Sequence, residues 1–131
     1  MIQFIAQSMA YLMLITAGFN VTVPTGITAE SPVAITLTVP HSPQNDVACA
    51  GVNDQNSYTG FPNSFSAFVC WNVNLSDFPD IAEQFEQVFA PLSAGTYYVG
   101  AVLYLKPAYA GAKRSEPRVL PLVPFTVAEA K

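Results

Sequence analysis

The run from Leu92 to Leu105, LSAGTYYVGAVLYL, constrains the fold more than any other part of the chain. It is apolar at nearly every position after Thr96, yet it is shorter than the roughly 20 residues a membrane helix needs. Gly95, Thr96, Tyr97 and Tyr98 disfavour a helix and favour a strand. As a strand, Tyr97, Val99, Ala101, Leu103 and Leu105 share one face, and Gly100, Val102 and Tyr104 share the other. A strand apolar on both faces has to be covered on both. The spacing therefore predicts a central strand in a layered β domain.

Other segments repeat the period of two. In FNVTVP, Phe19, Val21 and Val23 alternate with Asn20 and Thr22. In PVAITLTVP, Val33, Ile35, Leu37 and Val39 alternate with smaller or polar residues, with proline at both ends. SFSAFVCWNV reads as a strand with Phe65, Ala67, Val69, Trp71 and Val73 on one face. VLPLVPFTV places Val119, Val123, Phe125 and Val127 together, and its prolines suit an edge strand. Residues 40 to 64 read as a loop rich in Pro, Asn, Ser and Gly, long enough that it should hold a short strand or be tied down by Cys49. DFPDIAEQFEQVFAPL fits either period. One or two helical turns are expected around Asp80 to Phe85, then an extended piece before Pro91.

A tyrosine just inside a strand, after a Leu-x-x-Gly turn, has the layout of the tyrosine corner of immunoglobulin-like sandwiches, with Tyr97 facing inward. The expected fold is one all-β immunoglobulin-like sandwich over residues 19 to 131, with about seven strands and Greek-key connections. Composition agrees: among 131 residues there are 11 prolines and 7 glycines, and only 11% are charged. A helical bundle would need more Glu, Lys, Arg and Leu.

Net charge is −4, with five basic residues in all. Phosphate binding needs a basic footprint, so a nucleic-acid partner is not expected. Residues 1 to 18, MIQFIAQSMAYLMLITAG, read as a secretory signal peptide: apolar and ending in small residues, though without a Lys or Arg at the start. Gln3, Gln7 and Ser8 make the segment a poor membrane span, so none is expected; a buried N-terminal element is the alternative. In a secreted chain the even pair Cys49 and Cys70 is expected to form a disulfide; two buried free thiols are the alternative. Such a bridge would close a loop of about 20 residues and contribute roughly 3 kcal/mol. Asn20-Val21-Thr22 and Asn74-Leu75-Ser76 are N-glycosylation sequons, making Asn20 and Asn74 the candidate acceptors.

Catalytic constellations are sparse. His41 is the only histidine, in a Pro-His-Ser-Pro loop with no nucleophile-elbow motif. It is read as a surface residue, and the chain has too few His and Cys for a zinc centre. Asp77, Asp80, Glu83 and Glu86 form an acidic run that a solvated face explains as well as a carboxylate pair or calcium loop would. Neither an enzymatic activity nor a cofactor is expected. The segment KPAYAGAKRSEPR carries four of the five basic residues. It lies between the last two strands, where a loop on a stiff scaffold suits recognition. Lys106, Tyr109, Lys113, Arg114 and Arg118 are the candidate partner-binding residues, and an ordinary hairpin loop is the alternative. Trp71 is read as a core residue rather than a sugar platform.

The order FNVTVPTGITAESPVAITLTV, a variable middle, LSAGTYYVGAVLYL and VLPLVPFTV resembles small fungal secreted proteins with an immunoglobulin-like sandwich. It is most similar to the necrosis-inducing secreted protein type of plant-pathogen effector, over about residues 19 to 39 and 91 to 127. The resemblance implies a secreted, non-enzymatic protein, and in the effector case one that binds a host protein and interferes with immune signalling. A wall-associated or carbohydrate-binding module is the other reading. The partner is expected to be a protein, with carbohydrate second.

Overall fold

The computed structural model describes residues 18–73, 82–114 and 116–130. The signal-peptide reading, Asn74, and the acidic residues Asp77 and Asp80 lie outside those residues. The described chain is all-β, with nine strands: β1 (Asn20–Thr22), β2 (Ile27–Thr28), β3 (Val33–Val39), β4 (Asn45–Asn53), β5 (Ala67–Asn72), β6 (Glu83–Phe89), β7 (Gly95–Leu105), β8 (Arg118–Val119) and β9 (Val123–Ala128). One sheet has the order β1-β3-β6; the other runs β2-β9-β7-β4-β5, with β8 also on β7.

The chain crosses between sheets after β1, β2, β3, β5 and β6, and the crossings after β3, β5 and β6 make the Greek-key order of an immunoglobulin-like sandwich. The seven expected strands become nine because two are divided. The first splits at Pro24-Thr25-Gly26, so that β1 pairs with β3 and β2 runs parallel to β9 in the other sheet. The last splits at Leu120-Pro121-Leu122, where proline cannot donate to a ladder.

Alternation places the core as expected. Val33, Ile35, Leu37 and Val39 of β3 are buried and face Val99, Ala101 and Leu103 of β7 in one cluster. Each such aliphatic side chain contributes about 1.5–3 kcal/mol on burial. Trp71 also packs against this core, stacked on Phe85 with ring centroids 5.1 Å apart. Tyr97 faces inward too. Its ring stacks on Phe125, and its hydroxyl donates to the carbonyl of Ser93, four residues upstream, at 2.8 Å. That is the tyrosine-corner bond.

Four expectations are corrected. Residues 45–53, read within a loop expected to hold a short strand or be tied down by Cys49, form a full nine-residue strand, β4, held between β5 and β7 in the second sheet. Its Ala48, Ala50 and Gly51 are too small to give a hydrophobic signal, yet small residues are what a strand covered on both faces accommodates. Residues 83–85, expected to be helical, belong to β6, whose ladder with β3 overrides the helical spacing of Phe85, Val88 and Phe89. Phe65 does not share the face of Val69 and Trp71; it packs in the loop before β5, stacked on Tyr58. Val119 is separated from Val123, Phe125 and Val127 by the proline break. It pairs opposite Val102 and is 51% exposed, while β9 is flanked on both sides by β7 and β2.

Candidate functional site

The loop between β7 and β8 is built by its punctuation. Pro107 ends β7, Gly111 takes φ +88° in a turn closed by the Ala112 N–H to the Tyr109 carbonyl at 3.0 Å, and Pro117 precedes β8. A left-handed φ of that size favours glycine. The loop is tied to the β3–β4 turn. The Lys106 N–H donates to the Gln44 carbonyl at 2.7 Å, and Arg114 pairs with Asp46 at 2.9 Å. That turn is itself anchored, because the buried Asn45 donates its amide to the Pro40 carbonyl at 2.6 Å.

Between loop and turn lies an open cleft of about 470 Å³, lined by Pro43, Gln44, Lys106, Pro107, Ala108 and Lys113 among others. The structure thus separates the five candidate residues. Lys106 and Lys113 line one cleft. Tyr109 stands at the loop tip, 72% exposed. Arg114 spends its charge on Asp46, a pair of partly exposed side chains contributing about 0–1 kcal/mol. Arg118 lies beyond the loop in β8, opposite Leu103. Among the described residues, neither Lys106 nor Lys113 has a carboxylate partner.

Cys49 and Cys70 are bonded, and as direct partners across β4 and β5 they cross-link neighbouring strands on the outer face of the second sheet. Asn20 is half-buried in β1 opposite Thr38, its amide donating to the Gly18 carbonyl at 3.4 Å. Among the described residues no three His, Cys, Asp or Glu side chains come together as a metal site, and no helix is long and apolar enough to cross a membrane.

Sequence reasoning missed Tyr58. Its hydroxyl accepts the Ala101 N–H at 2.8 Å and donates to the Leu120 carbonyl at 2.7 Å, while the Leu120 N–H donates directly to the Ala101 carbonyl at 3.0 Å. One ladder bond between β7 and the proline-broken strand is therefore direct, and the other runs through a phenol. Burial raises the Tyr58 pKa above its ordinary 10.0, and the Ala101 hydrogen bond opposes that rise. The tyrosine sits in a run of Asn, Ser and Gly with no periodicity to mark it; its partner, a proline-interrupted strand, was the only available signal.

No protein-family model matches the chain, and neither a curated protein nor a solved structure does.

Proposed function

We propose that the chain is a secreted, non-enzymatic interaction protein that holds an acidic segment of a protein partner in the cleft beside the β7–β8 loop. The observation that carries this reading is the pair of lysines. Among the described residues Lys106 and Lys113 have no carboxylate partner, and they share one cleft of a protein whose net charge is −4, with the exposed Tyr109 on the same loop. An aromatic next to cations on a braced loop suits carboxylate-bearing peptide. Secretion draws on the N-terminal segment and on the disulfide, which persists in oxidising compartments. A host immune protein as the partner rests on the sequence resemblance alone. The carbohydrate-binding reading needs coplanar exposed aromatics. Among the described residues Trp71 is stacked inward on Phe85, which disfavours it.

The test is the full chain applied to an array of peptides graded in Asp and Glu content, with a glycan array as the opposing arm. Acidic peptides should bind, and binding should weaken with salt. Lys106→Ala with Lys113→Ala should lower affinity roughly tenfold or more and flatten the salt dependence. Arg114→Ala should do much less. Glycan binding without peptide binding, or unchanged peptide affinity in the double variant, overturns the reading.

A further inference from the structure

The second sheet ends on β5, and among the described residues nothing pairs with its outer side. The direction of its backbone groups follows from the ladder. Cys49 and Cys70 are opposite one another with Cα atoms 4.0 Å apart. In an antiparallel ladder, so close a pair is one that exchanges no hydrogen bonds, since bonded pairs stand about 5.5 Å apart. The odd-numbered Val73 agrees: its N–H donates inward to the Asp46 carbonyl at 3.0 Å. Phe68, Cys70 and Asn72 therefore direct their N–H and C=O groups away from β4, toward the open edge.

Open edges are usually blunted by lysine, proline, a bulge or an inward charge. Residues 64 to 73, SFSAFVCWNV, contain no charged residue and no proline. The ladder to β4 runs without a bulge from Ala67 to Asn72, and Phe68 is 45% exposed. By contrast β6, the outer strand of the other sheet, carries Glu83 and Glu86.

We propose that this edge pairs with β5 of a second copy, antiparallel about a twofold axis at Val69, and that the second sheet runs on through both copies. Two features of the register select a second copy, and the absence of charge on β5 keeps like charges out of the contact itself. In this register Phe68 stands opposite the partner's Cys70 and Trp71 opposite the partner's Ala67, so each large side chain meets a smaller one, while Val69 meets its own copy on the axis. The outward groups of Phe68 and Cys70 then become hydrogen-bonded pairs at the centre of the contact. A twofold contact of this kind consumes both open edges and closes, rather than growing into a filament. The disulfide supports it by clamping β5 to β4 in a fixed register.

Sedimentation of the full chain, followed up to about 1 mM, should show a monomer–dimer equilibrium. Amide hydrogen exchange at Phe68, Cys70 and Asn72 should slow as concentration rises, while exchange in β6 stays constant. Phe68→Lys puts a charge at the centre of the contact, and Asn72→Pro removes an N–H that β4 does not use. Each should give a monomer with an unchanged far-ultraviolet spectrum, and Val88→Lys on β6 should leave the dimer intact. A monomer at every concentration, exchange at the three amides that ignores concentration, or a dimer that survives both β5 variants overturns the proposal. The exchange measurement needs no variant, so it decides even where a substitution unfolds the chain.

Discussion

The Tyr58 hydroxyl occupies a position that a backbone carbonyl fills in an unbroken ladder. It is a donor and an acceptor at once, so it can satisfy both the Ala101 N–H and the Leu120 carbonyl. Tyr58→Phe keeps the ring and leaves both groups without the bridge. The expected cost is about 1–3 kcal/mol, the penalty for an unsatisfied buried polar group, read from a denaturant titration. The raised pKa adds a sign. In the folded chain burial holds the phenol protonated, so above pH 10.0 the unfolded chain loses this proton first and is stabilised relative to the fold. The stabilisation by Tyr58 is thus complete below pH 10.0 and is lost as pH rises through the folded value. The stability gap between the natural chain and Tyr58→Phe should stay constant on the neutral side and narrow above pH 10. A gap that widens there would contradict the geometry. Tyr97, stacked on Phe125 and bonded to Ser93, should cost more on truncation than Tyr104, which faces outward beside Val47. Tyr97→Ala should lose about 3 kcal/mol, the low end for a core aromatic because its ring is only half-buried.

Among the elements, the strands legible in the sequence were those whose side chains meet water on one face and the core on the other. β3 alternates because its outer face is solvated, and β7 could be placed as a central strand because large apolar residues fill both of its faces. β4 was legible only as a short strand somewhere in a long loop, for the opposite reason. Its outer face is covered in part by the chain's own loop, and at Gly51 the space left admits no side chain. Gly51 and Gly100 stand opposite each other across β4 and β7, and Tyr58 and Phe65 lie over them. A Cβ at Gly100 would stand 2.7 Å from the Tyr58 hydroxyl, and one at Gly51 would stand 2.6 Å from the Ala67 carbonyl. The two sites differ in what can give way. At Gly100 the obstacle is a side chain on a loop, so Gly100→Ala should fold but displace Tyr58 and lose its bridge. At Gly51 the obstacle is backbone, so Gly51→Ala should be the more destabilising. Thermal unfolding of the two variants checks the order. A pairing of Gly100→Ala with Tyr58→Phe should be far from additive, since both remove the same bridge.

For the whole molecule, the candidate site was legible as a list but not as a geometry. The concentration of lysine and arginine between the last two strands is a property of sequence. That Arg114 is spent on Asp46 while Lys106 and Lys113 share a cleft depends on the β3–β4 turn, more than 60 residues away in the chain for Lys106 and Lys113 alike. The disulfide joins these scales. It ties β5, the outermost strand, to β4, which is paired on its other side to β7 and so to the loop above the cleft. Cys49→Ser with Cys70→Ser lifts the restriction on the unfolded chain between the two sites, 21 residues apart, and should lower stability by about 3 kcal/mol. The loss should not spread evenly. β4 and β7 remain held by their mutual ladder and by the core, whereas β5 keeps one ladder alone. Amide exchange should therefore rise first at Val69 and Trp71, whose N–H groups face β4, and change little at Val99 and Leu103. Equal acceleration throughout would mean that β5 unfolds only with the whole domain, and that the bridge acts on the unfolded chain alone.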